Sequence, residues 1–136
     1  MSFINQTLRS FLAIGAIAWQ VGCSSGGVAV PDVPASVAQA DFCSLYNQIT
    51  CAASLGCCKD GNVVYASQDE CLKQVSCPEE IQSIFQSSLL TSGQVTYDPA
   101  AASDYLRGMA AFAKACGATT SPGTGYPFIR GTRGSG

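Results

Sequence analysis

Cysteine is the residue type with the most chemical potential in this chain, which carries eight cysteines and no histidine. Thiols in this number can form disulfides, hold a metal ion or act as nucleophiles. A metal site calls for closely spaced cysteine pairs or histidine partners, and the chain has no Cys-x-x-Cys pair. The adjacent Cys57 and Cys58 cannot easily face one tetrahedral ion. We therefore expect structural disulfides, with no metal and no cofactor.

The pairing of the cysteines does not follow from their order along the chain. Antiparallel packing of the first and last predicted helices would bring Cys43 near Cys116. Local bridges are expected among the other candidates, which are Cys57, Cys58, Cys71 and Cys77. Cys51 is then left without an obvious partner and is a candidate free thiol. Three bridges, each contributing about 2–4 kcal/mol, would make the fold depend on them.

The other polar residues give little support for catalysis. Without histidine there is no Ser-His or Cys-His pair and no imidazole base. A Ser-Lys dyad remains open, but solvated surface side chains are the favoured interpretation of Lys59, Lys73 and Lys114. The acidic pairs at 69–70 and 79–80 fall in predicted first helical turns, where carboxylates interact favourably with the helix dipole. We expect no catalytic residue and no enzymatic activity.

Short helices are the elements that must position the cysteines. Apolar residues at steps of three and four predict a first helix over about 37–55. Ser67 and Glu70 have capping-box spacing and predict a short second helix to about residue 76. Ser76 and Glu79 repeat that spacing, so a third helix should begin there and stop near Ser92-Gly93.

The last predicted helix has the strongest local signals. After a short extended link over 94–97, Asp98 is an expected N-cap, and Pro99 suits the first helical position. The helix is rich in alanine, and Gly117 is the expected residue beyond its end. The sequence therefore predicts an all-α fold, a small disulfide-stapled bundle of about four short helices.

The N-terminus has the features of a targeting segment. Arg9 precedes an apolar run of about 12 residues, too short for a membrane-spanning helix of roughly 20 residues. The run ends at Val-Gly-Cys23, followed by small polar residues, which resembles the end of a bacterial lipoprotein signal peptide. Cys23 is then the lipidated first residue of the mature chain. An ordinary secretory signal cleaved after Ala18 is the alternative, because residues 16–18 are Ala-Ile-Ala.

These signals divide the chain into four parts. We expect a lipoprotein signal peptide over 1–22, a flexible tether over 23–36, a cysteine-rich helical domain over 37–117 and a disordered low-complexity tail over 118–136. Residues 24–116 carry nine acidic and four basic side chains, a net charge of −5. That charge argues against nucleic acid as a partner.

Three stretches carry a family resemblance: Phe42 to Cys51 with Leu-Gly-Cys-Cys58, Glu70-Cys71 followed by Cys77, and Val95 to Ala102 leading to Cys116. They resemble the cysteine-rich lipoproteins of unknown function that are numerous in myxobacteria and their relatives. The resemblance implies an exported lipoprotein without established chemistry. Members of that family often have a cysteine where this chain has Tyr105, and this difference would leave Cys51 without a disulfide partner. They also continue into a second cysteine-rich stretch, which suggests that this chain is a truncated fragment.

The expected protein is thus exported and anchored through a lipid on Cys23 to the bacterial cell envelope, at the outer membrane or cell surface. A soluble secreted protein is the alternative. Its most favoured role is a non-enzymatic binding or spacer module of the envelope. An accessory protein of a secreted enzyme or biosynthetic pathway is a second hypothesis, and a thiol redox protein that uses an unpaired cysteine is a third.

Overall fold

Two long helices, α1 (Gln39–Gly56) and α5 (Pro99–Lys114), form the centre of the fold in the computed structural model. The structure describes residues 29–57, 65–116, 122–123 and 125–132. Along the chain, the two long helices are separated by α2 (Gln68–Gln74), α3 (Glu79–Gln86), α4 (Ser88–Thr91) and the strand β1 (Val95–Tyr97). A second strand, β2 (Ile129–Gly131), pairs antiparallel with β1, so that Tyr97 lies opposite Ile129. The described part is mostly helical, as predicted, with a two-stranded sheet that the all-α prediction lacked.

Two of the predicted helix starts are confirmed by their capping hydrogen bonds. The Asp98 carboxylate accepts hydrogen bonds from the backbone N–H groups of Ala100 and Ala101, and Pro99 occupies the first helical position. The Ser67 hydroxyl accepts a hydrogen bond from the backbone N–H of Glu70 at 3.1 Å. These starts follow from local chemistry alone, because each cap lies within three residues of the groups it satisfies.

The third predicted helix differs from the structure at both ends. Pro78 is the N-cap of α3 and no side chain caps this end, so the capping role expected of Ser76 is wrong. The helix also stops at Gln86, because Ser87 is extended and its hydroxyl donates a hydrogen bond to the Ile84 carbonyl at 2.7 Å. A serine that bonds to nearby backbone competes with helix continuation, and α4 begins as a separate turn.

The long helices α1 and α5 lie side by side and run in the same direction. At their N-terminal ends the Val37 N–H donates to the Pro99 carbonyl at 3.1 Å. At their C-terminal ends a disulfide joins Cys57 to Cys116. The predicted antiparallel arrangement is therefore wrong. Parallel neighbours need a chain that returns to the starting end, and the short elements α2 to β1 make that return.

The C-terminal segment closes the core, which corrects the prediction of a disordered tail for the residues described there. Phe128 is fully buried, and its carbonyl accepts a hydrogen bond from the Asp98 N–H at 2.9 Å. The strand β2 then pairs with β1, and the Thr132 hydroxyl donates to the Gly93 carbonyl at 2.7 Å. Phe128 packs in one cluster with the other large buried side chains, which include Val37, Phe42, Ile49, Ile81 and Leu106.

The segment before α1 is also packed rather than free, so the tether prediction is wrong for residues 29–36. Val30 and Val33 pack against the core cluster. The hydroxyl of Ser103, a fully buried side chain of α5, donates to the Pro34 carbonyl. This bond satisfies a polar group that would be costly to bury unpaired, and it holds the segment along α5. Among the described helices, none is long and apolar enough to cross a membrane.

Candidate functional site

Within the described residues, three disulfides connect the helices of the domain. Cys43 of α1 pairs with Cys77, which lies just before α3. Cys51 of α1 pairs with Cys71 of α2, and Cys57 pairs with Cys116 at the far ends of α1 and α5. Their Cα–Cα separations are 5.2, 5.8 and 5.1 Å, within the range of about 4.4–6.8 Å that disulfides require. The expectation of structural disulfides is confirmed for the described cysteines.

The pairing differs from the one expected. Cys43 does not pair with Cys116, because the parallel direction of α1 and α5 places these residues at opposite ends of the helix pair. The local bridges expected among Cys57, Cys71 and Cys77 are also wrong, because each of these residues pairs across the fold. Each of the three described bridges instead has one end in α1 or directly after it, so α2 and the residues next to α3 and α5 are all attached to α1.

Cys51 is not a free thiol, which is a second correction. Both Cys51 and its partner Cys71 are fully buried, and every cysteine within the described ranges is paired. The cysteine that the family resemblance places at Tyr105 is not needed as a partner. The Tyr105 ring instead stacks on Phe42, with ring centres 6.3 Å apart. The redox hypothesis therefore loses Cys51 as its candidate thiol.

The remaining predicted residues fall into two groups. Cys23, Cys58 and Lys59 lie outside the described residues. Lys73 and Lys114 are exposed, as predicted for surface lysines, and the acidic pairs 69–70 and 79–80 lie in the first turns of α2 and α3. In the described part of the chain, no group of three cysteine, aspartate or glutamate side chains is placed to hold a metal ion.

Tyrosines and phenylalanines form a continuous aromatic cluster on one side of α1. Its members are Phe42, Tyr46, Phe85, Tyr97, Tyr105, Tyr126 and Phe128. Where this cluster reaches the surface, Tyr105 and Tyr126 line an open cleft of about 670 Å³ together with Asp104 and Pro127. Tyr126 and Phe128 come from the segment predicted to be a disordered tail, and the structure instead places both rings in this cluster.

Three tyrosines of the cluster, Tyr46, Tyr97 and Tyr105, have raised pKa values, so their hydroxyls stay protonated at neutral pH. Burial raises the pKa of Tyr105, and the neighbouring Tyr46 and Tyr126 raise it further. Burial also raises the pKa of Tyr97 to about 12, with additional repulsion from Asp41 and Asp98. The Tyr97 hydroxyl donates a hydrogen bond to the Val37 carbonyl at 2.9 Å. These tyrosines are therefore packing and hydrogen-bonding groups, and none is poised as a base or nucleophile at neutral pH.

A second cleft, of about 640 Å³, lies between α1 and α3, and we call it the amide cleft. Its distinguishing side chains are four amides, one ring and one disulfide: Gln39, Asn47, Gln82, Gln86, Phe85 and Cys43–Cys77. None of the side chains lining it is charged. The Gln39 amide donates to the Phe85 carbonyl at 3.4 Å, and the Gln82 amide donates to the Cys77 carbonyl. Asn47 Oδ1 is buried, and no hydrogen bond from the described residues reaches it.

The amide cleft was missed at the level of sequence, although a signal for it exists. Gln39, Cys43 and Asn47 recur at steps of four on α1, and Gln82 and Gln86 do so on α3. Side chains four apart share one helix face, so each helix presents a row of amides. What the sequence did not provide was the Cys43–Cys77 bridge that brings the two rows together.

Comparison of the chain with known protein families, with curated proteins and with solved structures gives no match.

Proposed function

We propose that this chain is an exported, lipid-anchored envelope protein whose disulfide-stapled domain acts as a non-enzymatic binding module. The observation that carries the proposal is the set of three disulfides, which attach α2 and the residues next to α3 and α5 to α1. Disulfides form and persist in oxidising compartments outside the cytoplasm. A domain that depends on three of them is suited to export, which agrees with the targeting signals of the first 22 residues.

The short distance between Cys23 and the packed domain favours binding close to a membrane over long-range spacing. The described, packed segment begins at residue 29, and Val30 already contacts the core cluster. Even a fully extended chain from Cys23 to that segment reaches only about 20 Å, at roughly 3.5 Å per residue. A lipid on Cys23 would therefore hold the domain against the membrane surface.

The chemistry of the described side chains supports a role without catalysis. All cysteines within the described residues are paired in disulfides. The raised pKa values of Tyr46, Tyr97 and Tyr105 keep their hydroxyls neutral, and Lys73 and Lys114 are exposed. The amide cleft described above offers uncharged hydrogen-bonding groups and one aromatic ring. Such groups recognise a ligand by contact and do not supply an acid, a base or a nucleophile.

Metabolic labelling with radioactive palmitate tests the anchor. Wild type and Ser25→Ala should incorporate label and fractionate with membranes, whereas Cys23→Ala should do neither. The serine variant is a matched control, because it changes a small side chain two residues away without removing the thiol. Equal labelling of wild type and Cys23→Ala would reject lipidation at Cys23. Wild-type protein that is unlabelled, soluble and begins at Trp19 would instead establish cleavage after Ala18.

A further inference from the structure

The amide cleft between α1 and α3 contains a hydrogen-bond acceptor that the fold leaves unused. Asn47 Oδ1 is buried, and it receives no hydrogen bond from the described residues. Buried polar atoms in folded proteins normally have a partner, because an unpaired one destabilises the fold. Asn47 lines a cleft of about 640 Å³, within the range of about 300–1,000 Å³ typical of small-molecule sites. We propose that this cleft binds a neutral saccharide whose hydroxyl groups supply the missing donor.

The lining of the cleft selects for a ligand without charge. No charged side chain is among its lining residues, so an ionised group would enter without a counter-charge. The Gln39 and Gln82 amides already donate to the Phe85 and Cys77 carbonyls, which fixes both side chains. Each amide also carries a carbonyl oxygen that accepts hydrogen bonds. With Asn47 Oδ1, these groups favour a ligand that presents several donors, as the hydroxyls of a sugar do.

The apolar part of the lining suits the carbon face of a sugar ring. Phe85 is half-buried, and its ring is held edge-on between Phe42 and Tyr97, with ring centres 5.8 and 5.6 Å apart. The Cys43–Cys77 disulfide adds a second fixed apolar surface. Rigid apolar walls with a few oriented polar groups are the usual construction of a small-molecule site. Both walls belong to the framework of the fold, so the site is preformed.

A peptide fits the cleft less well than a sugar does. An extended peptide is recognised at an exposed strand edge, and a helical peptide is recognised in a hydrophobic groove. The amide cleft is built from the helices α1 and α3, and β1 contributes none of its lining. Four amide side chains also make it unlike the apolar grooves that receive helices. The observations therefore favour the saccharide, and a peptide ligand becomes a contrary outcome of the test.

This inference rests on the binding role within the proposed function and names its ligand class, but it does not require the lipid. Failure of palmitate labelling would leave the cleft unaffected. Failure of sugar binding would leave the anchor unaffected. The two proposals can therefore fail separately, and the sugar experiment is carried out on the purified, oxidised full chain. A detergent without a sugar headgroup is needed to keep any lipidated protein in solution.

The test is a titration of ¹⁵N-labelled protein with maltotriose, cellotriose and the trimer of N-acetylglucosamine, followed by amide NMR shifts. At about 10 mM sugar, a dissociation constant in the millimolar range is detectable. At least one trisaccharide should shift the signals of Asn47, Gln82 and Gln86 in a saturable manner. Absence of saturable shifts with all three sugars would overturn the proposal. Saturable shifts from an uncharged, acetylated hexapeptide without shifts from the sugars would also overturn it.

Two variants separate binding from structure. Asn47→Ala should weaken binding about tenfold or more, while its urea midpoint stays equal to or above that of wild type, because an unpaired buried acceptor is removed. Gln48→Ala is the matched control, because Gln48 is the next residue on α1 and lies outside the amide cleft. The Gln48 side-chain amide donates to the Ser44 hydroxyl at 3.1 Å. It should retain wild-type affinity. Equal weakening by both variants, or a lower midpoint for Asn47→Ala, would contradict the assigned role of Asn47.

Discussion

Replacing Phe128 with alanine should destabilise the domain as severely as removing a central core residue. Phe128 is fully buried, although it lies near the C-terminus in a stretch rich in glycine and proline. Its ring lies 4.5 Å from that of Phe42 and 5.3 Å from that of Tyr105, measured between centres. Truncating a buried phenylalanine costs about 3–5 kcal/mol. We expect a loss of about 4 kcal/mol at this site, which is a large part of a total stability of about 5–15 kcal/mol.

Urea unfolding of the oxidised protein measures this loss. With a slope of about 2 kcal/mol per molar urea, a loss of about 4 kcal/mol lowers the midpoint by roughly 2 M. Arg130→Ala is the control from the same segment, because its largely exposed guanidinium forms only a surface ion pair with Asp98 at 3.1 Å. That change should cost less than about 1 kcal/mol. A Phe128→Ala midpoint as close to wild type as that of the control would refute the closure of the core by the C-terminal segment.

Three further changes test other parts of the fold. The double variant Cys51→Ala, Cys71→Ala should lose about 2–4 kcal/mol of stability in guanidinium titrations, and an unchanged midpoint would contradict a bridge between them. Tyr97→Phe should cost about 1–2 kcal/mol, because the Val37 carbonyl loses its donor, and thermal unfolding would measure it. Asp98→Asn should make the free energy of unfolding fall less steeply as the pH is lowered. Backbone hydrogen bonds hold the pKa of Asp98 below its usual value, so its contribution is present above about pH 4 and lost as the pH falls through the lowered pKa. Equal acid sensitivity of variant and wild type would contradict this.

The parts of the fold that the sequence predicted are those set by neighbouring residues. The Asp98-Pro99 start of α5 and the Ser67 cap of α2 are present because each satisfies backbone N–H groups within three residues. The outcome at α3 shows the limit of such signals. Ser76 and Glu79 have the same spacing as Ser67 and Glu70, yet Pro78 is the cap. Local chemistry favours a helix nearby without fixing the residue at which it begins.

The parts that could not be predicted depend on contacts between distant segments. Cys57 and Cys116 meet because α1 and α5 run in the same direction, and nothing in the spacing of the cysteines specifies that direction. Phe128 belongs to the core because its carbonyl and ring reach the start of α5 and the side chain of Phe42. The amide cleft likewise exists only once the Cys43–Cys77 bridge has joined α1 to the start of α3.

The disulfide map of the protein isolated from its native cells tests the central claim most directly. Free thiols are blocked before unfolding, the chain is digested without reduction, and the linked peptides are identified by mass spectrometry. We expect linked peptides for Cys43–Cys77, Cys51–Cys71 and Cys57–Cys116, with none of these six thiols blocked. Blocked Cys51 would contradict the oxidised framework on which the proposed export depends. A bridge between Cys43 and Cys116 would contradict the parallel arrangement of α1 and α5.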